Sequence, residues 1–281
     1  MKTDFKRDKF TLVLSGGGAL GIAQLGVLHD MQELDLSPSE IVGTSMGGII
    51  GACLAIGMSE DEIFEQVDKF SSVTTWMTLS FTGNAIIKHI KIMKILSAIF
   101  GQKKMSDTKI PLKLIATNLQ TGDKKVFISH DDILIVEALL ATMAIPGVFE
   151  ECHIDDEIYG DGFLCENLGI TEASLDNILA VDVLGGNSFD RDMPDNFFKT
   201  SNVMEMFEKS MRLLIYNQTK TNIAYSNKNI LLIEPSTKEY KTFHFHKTKE
   251  LRDLGLGLLQ NIIQGKYHAK PDTTLPKQTQ I

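Results

Sequence analysis

The hydrophobic pattern opens with a short apolar run, Phe10–Leu14, that stops abruptly at Ser15-Gly16-Gly17-Gly18. A run of this kind bounded by glycines predicts a buried strand feeding a turn. From Ala19 to Leu34 the apolar residues Leu20, Ala23, Val27, Met31 and Leu34 recur at helical spacing. Ser37-Pro38-Ser39 breaks that helix, and Ile41-Val42 lead into Gly43-Thr44-Ser45-Met46-Gly47-Gly48. The small and apolar run Ile49–Ile56 follows as a helix that Gly57 can end. Strand, turn, helix, strand, turn, helix is the alternation of an α/β domain with parallel strands.

Further strands are expected at Leu112–Ala116, Lys125–Ile128, Ile178–Val183 and Ile230–Ile233. A helix is expected over Asp132–Met143, and longer ones over Val203–Ser226 and Lys247–Ile263. No repeat or interdomain linker interrupts the series, so residues 1–265 read as one domain. The polar stretch Lys266–Ile281, with two prolines, reads as a frayed tail.

Composition narrows the partners more than the fold. The 281 residues are 43% hydrophobic and 23% charged, which suits one large globular domain. A net charge of −8 makes a nucleic-acid partner a poor expectation. The apolar stretch near the N-terminus is too short for a secretory signal, and no run reaches the roughly 18 apolar residues of a membrane span. Cys53, Cys152 and Cys165 are odd in number and form no CxxC pair, so reduced thiols in a cytoplasmic protein are expected.

Two glycine turns hold the candidate chemistry. Gly43-Thr44-Ser45-Met46-Gly47 fits G-x-S-x-G, a strand-to-helix elbow whose flanking glycines leave room beside the serine. Ser45 is then a candidate nucleophile near the positive end of a helix, and a tight structural turn is the competing reading. Ser15-Gly16-Gly17-Gly18-Ala19-Leu20-Gly21 offers several main-chain amides at a helix start, a ready anion site. Gly16, Gly18 and Gly21 also satisfy G-x-G-x-x-G. A dinucleotide site, however, needs an acidic residue at the end of the next strand, where this chain has Gly43-Thr44-Ser45.

Serine needs a base, and the seven histidines (His29, His89, His130, His153, His244, His246, His268) all lie away from strand-end glycine turns. They read as surface or structural residues, and His244-x-His246 lacks a third metal ligand. Asp161, in Ile158-Tyr159-Gly160-Asp161-Gly162-Phe163, sits sterically open between two glycines, although on local sequence alone a plain turn aspartate is the favoured reading.

Taken together these pieces resemble the patatin-like phospholipase family. Gly16–Gly21 is similar to its oxyanion loop, Gly43–Gly47 to its nucleophile elbow and Asp161-Gly162 to its dyad aspartate. Pro111–Ile128 and Ala141–Glu150 resemble the intervening strand pair and the loop before the aspartate, so the likeness runs from about Lys9 to Gln264. The chain departs from the pattern at Phe163, where a small residue is common, and at Asn167-Leu168-Gly169, where Asn-x-Pro is common.

The resemblance implies a three-layer α/β/α fold with a mostly parallel sheet and a serine acyl-ester hydrolase that needs no metal or cofactor. Ser45 and Asp161 would form the dyad. Amides of Gly16, Gly17, Gly18 and Met46 would form the oxyanion hole, with Gly21, Gly43, Gly47 and Gly162 in support. An ordinary carboxylate of pKa about 4 is a weak base at neutral pH, so low-dielectric surroundings are expected to raise it. A lipid or other ester is the implied substrate. Acyl transfer through the same acyl-enzyme and non-catalytic lipid binding are the alternatives.

Segment Ala85–Phe100 places Ile86, Ile90, Met93, Leu96 and Phe100 on one helical face, with Lys88, Lys91 and Lys94 off it. Such a helix either packs on the core or lies on an anionic membrane surface, giving peripheral contact. Trp76, Met77 and Phe81 just upstream either line an acyl pocket or fill the core.

Overall fold

The computed structural model describes residues 5–69, 71–72, 90–189 and 200–265. The expected Trp76, Met77 and Phe81 cluster, the first five residues of segment 85–100 and the tail from Lys266 lie outside them.

Eight strands make one sheet: β1 (Thr11–Leu14), β2 (Glu40–Thr44), β3 (Leu112–Asn118), β4 (Lys124–Phe127), β5 (Cys152–Ile154), β6 (Glu157–Asp161), β7 (Asn177–Val181) and β8 (Asn229–Ile233). Their order is β5-β6-β3-β2-β1-β7-β8, with β4 on β3. The pairs β3–β2, β2–β1, β1–β7 and β7–β8 are parallel. The antiparallel strands β4, β5 and β6 complete the other end.

The central strands are apolar throughout because helices cover both faces, as parallel sheets require. Leu12 and Leu14 join a large core with helices α1 (Ala23–Glu33), α2 (Met46–Ala55), α4 (Ile90–Phe100) and α5 (Ile135–Met143). Val13, Val42 and Ile115 point the other way, onto Leu168, Ile170 and Ile223 of α7 (Thr200–Tyr225). The result is three layers, α/β/α. Between α2 and α4, α3 (Glu60–Asp68) begins at Ser59, which accepts from the Glu62 amide while the Glu62 side chain caps Ser59 in return.

Two expected helices differ in form. Gly18–Ile22 is a 3₁₀ turn before α1 rather than its first turn. The run Lys247–Ile263 splits into α8 (Thr248–Asp253) and α9 (Leu258–Ile263). The break sits where Gly255 lies against the α1 backbone with no room for a side chain. Asp30 of α1 then accepts hydrogen bonds from the amides of Gly257, Leu259 and Gln260 at 2.8, 2.9 and 3.3 Å.

Helix α4 is rotated from the expected face. Leu96 and Phe100 are buried, but Ile92 joins them, whereas Ile90 and Met93 are exposed. The spacing 92, 96, 100 is the i, i+4 row that fits the groove of the core. Among the described residues no helix is long and apolar enough to cross a membrane. The three cysteines are unpaired, and burial pushes the thiols of Cys53 and Cys152 up to about 12 and 11.

One feature of the sheet positions the site. Strand β2 pairs with β3 at residues 112–115, ending with Thr44 beside Ile115, and β6 pairs at 116–118, with Asp161 beside Ala116. Strand β4 spans Leu114–Thr117 of β3 and overlaps both. A strand has two edges, so β2 and β6 share the edge opposite β4, meeting end to end. Strand β3 is the template that brings the last residue of β6 beside the residue following β2.

Candidate active site

Strand β2 ends at Thr44, α2 begins at Met46, and Ser45 makes the whole turn between them. Its φ of 53° with ψ of −122° lies where side chains are rarely found. A residue held there costs about 1–3 kcal/mol unless neighbours compensate. The tightness explains the glycines. A Cβ on Gly43 would lie 2.7 Å from the Gly47 carbonyl, and one on Gly47 would strike the Leu14 and Ser15 carbonyls.

The compensation comes from Thr142 on α5, a residue without any local signal in the sequence. The Ser45 amide donates to Thr142 Oγ1 at 2.9 Å, and the Thr142 hydroxyl donates in turn to the Ile115 carbonyl of β3. Thr142 is fully buried, so the strained elbow is tied to the sheet template.

Asp161 closes β6. Its amide donates to the Ala144 carbonyl at 2.8 Å and its carbonyl accepts from the Thr117 hydroxyl at 3.0 Å, fixing the backbone. Its side chain accepts from the Phe163 amide at 3.0 Å, and the Ser45 hydroxyl lies close enough to pull its pKa down. Gly162 lies against the Ile115 carbonyl and Thr44, which leaves no space for a larger residue there. Burial pushes the Asp161 carboxyl up to about 7, and the bonds from Ser45 and Phe163 pull against that rise without cancelling it. Serine and aspartate, 116 positions apart in the chain, are brought side by side.

The glycine turn lies against this pair. A Cβ on Gly16 would stand 3.1 Å from Ser45 Cβ, and one on Gly21 would stand 2.5 Å from Met46 Cγ. Gly17 and Gly18 have φ of 157° and 56°, conformations that suit glycine. Among the described residues the amides of Gly17, Gly18 and Met46 have no acceptor, and Met46 opens the ten-residue α2. Gly16 departs from its expected role as a donor to substrate: its amide is already given to the Asn167 carbonyl at 3.3 Å. The Ser45 amide is likewise committed, to Thr142.

The described histidines lie elsewhere. His29 faces Glu60 at 3.6 Å, His153 faces Glu151 at 3.8 Å, and the rings of His244 and His246 pack against each other at 5.4 Å. Among the described residues the carboxyl beside Ser45 is that of Asp161, and no group of three or more His, Cys, Asp or Glu side chains converges as a metal set.

A strand–elbow–helix serine, a strand-end aspartate and a glycine loop folded against both agree with the family comparison, in which residues 12–174 match the patatin-like phospholipase model. The match covers more than half of the chain. This chain belongs to the patatin-like phospholipase family. Among its patatin-like relatives, a lysophospholipase NTE1 of Saccharomyces cerevisiae is 26% identical over 285 residues, covering 90% of this chain and 16% of that protein. An NTE family protein of Mycobacterium tuberculosis is 28% identical over 185 residues, covering 64% of this chain and 50% of its own. The chain thus spans about a sixth of the yeast relative it matches. Among solved structures, VipD from Legionella pneumophila is similar with 15% identity and a TM-score of 0.45, over 87% of this chain and 67% of that one. The type III effector ExoU gives 12% identity and a TM-score of 0.41, over 92% and 53%.

Proposed function

We propose that this chain hydrolyses acyl esters of lipids, such as phospholipids or lysophospholipids, through a covalent acyl-enzyme on Ser45. Family membership and the lysophospholipase name of the yeast relatives support lipid hydrolysis in general. The observation that carries the finer reading is the placement of Ser45, on its strained elbow, beside a buried carboxyl raised to about 7. A carboxylate near pH 7 is a far better match to the task of a general base than one at 4.

In this reading Asp161, once ionised, takes the Ser45 proton as Oγ bonds to the ester carbonyl carbon. Electrons move onto the carbonyl oxygen, which the free amides of Gly17, Gly18 and Met46 receive at the positive end of α2. The tetrahedral centre collapses, the alcohol portion leaves with the proton from Asp161, and an acyl group remains on Ser45. Water then attacks that acyl group, giving its proton to Asp161, and the second collapse restores the Ser45 hydroxyl and frees the fatty acid. The near-complete burial of Ser45 (5% exposed) and Asp161 (1%) strengthens each electrostatic contact.

Covalent labelling by a fluorophosphonate, combined with hydrolysis of an ester panel of varied acyl length and head group, tests the assignment. Wild type should label once, on Ser45, and hydrolyse lipid esters, whereas Ser45→Ala should do neither. Undiminished turnover by Ser45→Ala would end this proposal.

A further inference from the structure

The glycine loop has a holder that nothing above assigns. We infer that Asn167 is a positioning residue that sets the Gly16–Gly17 peptide so that the Gly17 amide stands free for the reaction's developing oxyanion. The inference rests on the hydrolase reading and deepens it.

Asn167 follows α6 (Phe163–Glu166), six residues past Asp161, and is fully buried. It grips Gly16 at both polar ends. Its carbonyl accepts the Gly16 amide at 3.3 Å, and its side-chain Nδ2 donates to the Gly16 carbonyl at 3.4 Å. A trans peptide points its C=O and the next N–H in opposite directions. Holding the Gly16 carbonyl toward Asn167 therefore turns the Gly17 amide away from it, and that amide has no acceptor among the described residues.

Asn167 is itself fixed from the opposite layer. Its amide donates to Gln218 Oε1 of α7 at 3.2 Å, while Gln218 Nε2 donates to the Cys165 carbonyl. The other side-chain atom, Asn167 Oδ1, is buried with no partner among the described residues, 2.6 Å from where a Gly16 side chain would begin. An unpaired buried acceptor is a standing cost that core packing alone does not explain. Flipping the amide to relieve it would set Oδ1 against the Gly16 carbonyl oxygen and lose the side-chain bond that holds that carbonyl. The clamp works in a single orientation, and its chemistry requires an N–H donor of this length.

The test uses the full chain with Asn167→Leu, which keeps the volume and removes the orphan, and Asn167→Ser, a smaller change should the first fail to fold. Ser45→Ala is the reference. Readouts are kcat and KM on a short soluble ester, the rate of fluorophosphonate labelling, and the urea midpoint. Each variant should lower kcat and the labelling rate together, by about tenfold to 100-fold, as expected for a displaced oxyanion donor. KM should stay within about threefold, and the urea midpoint of Asn167→Leu should match or exceed wild type. A fall in kcat of less than fivefold per folded molecule, or a loss expressed through KM alone, overturns the inference while Ser45→Ala remains dead. If Ser45→Ala stays active, the hydrolase reading fails instead.

Discussion

Two serine–aspartate pairs stand side by side at the carboxyl ends of the strands. Ser45 follows β2 and meets Asp161 at the end of β6; Ser15 follows β1 and meets Asp182, the residue after β7. Both carboxyls are buried and pushed up to about 7, by burial first in each case. Each accepts the amide two residues on, Phe163 at 3.0 Å or Leu184 at 2.9 Å, and has a serine hydroxyl close enough to pull its pKa down. By residue type, burial and titration the two are nearly twins.

The backbone separates them. Ser45 sits at positive φ on an elbow and opens onto a helix whose first amide is free. Ser15 remains part of the ladder: its amide donates to the Val181 carbonyl at 3.1 Å and its hydroxyl accepts from Val183 at 3.0 Å. Its carbonyl accepts from Gln24 at 2.7 Å. Ser15 is sealed, and the negative charge of Glu234 beside Asp182 works against ionising it. Under the proposed function, a buried carboxyl next to a hydroxyl is not sufficient for a nucleophile; the elbow and the vacant amides make the difference. The second pair ties β1 to β7 beneath the glycine loop.

The largest expected contrast is between the serines. Ser45→Ala should lower ester hydrolysis by about 10⁴-fold or more and abolish labelling, in line with removing a nucleophile. Ser15→Ala should keep both within about tenfold. Comparable losses in the two would show that the pairs act as one unit.

The aspartates come next, and they also separate on pH. Asp161→Asn should cost about 10³-fold in kcat, and Asp182→Asn about tenfold or less. Because the base must be ionised, the wild-type rate should rise with pH through about 7 and then level, rather than showing a limb near 4. That limb should vanish in Asp161→Asn and survive in Asp182→Asn. Its position falls in the range of histidine, so its persistence after histidine modification is the decisive control. A limb lost on that modification would take the dyad with it.

Stability should follow the same two groups with the opposite sense. Each carboxyl binds its proton more tightly folded than unfolded, so between about pH 4 and 7 the folded state holds more protons. Stability then falls as pH rises through that window and levels above about 7. Asp161→Asn and Asp182→Asn should each flatten part of this slope, gaining a few kcal/mol at pH 8 relative to pH 4, read from urea melts. An unchanged slope in both would place the titration elsewhere.

Much of this was legible in the sequence, for physical reasons that also set the boundary. The elbow and the glycine loop announce themselves because close approach of backbones demands glycine, as at Gly43 and Gly47. Asp161 was readable through its flanking glycines and the order of the motifs. Thr142 was not, and although Asn167 matched the asparagine of the family's Asn-x-Pro, its role was hidden, since a threonine near a helix end and an asparagine in a loop look the same whether or not a distant backbone needs them. Their partners, the Ser45 amide and the Gly16 peptide, are chosen by sheet register, with β6 continuing the edge that β2 leaves. The commitment of the Gly16 amide was hidden for the same reason. The rotated face of α4 and the break at Gly255 depend on the neighbour packed against each, which spacing alone does not reveal.

The smallest contrast concerns the residues that hold each serine's backbone. Thr142→Val keeps shape but removes the acceptor of the Ser45 amide, leaving a strained turn untethered and one buried N–H unpaired. Loss of such a bond costs about 1–3 kcal/mol in stability, and the elbow's drift should lower kcat by roughly tenfold with little change in KM. Gln24→Met is the matching change at the second pair. It removes the donor to the Ser15 carbonyl and also the unpaired Gln24 Oε1, so its net effect on stability should be smaller. Ser15 is not among the residues of positive φ and its amide is already held by Val181, so turnover should change by less than about threefold. Equal kinetic losses in Thr142→Val and Gln24→Met would mean that strain at Ser45 is not what the protein spends its buried hydrogen bonds to hold.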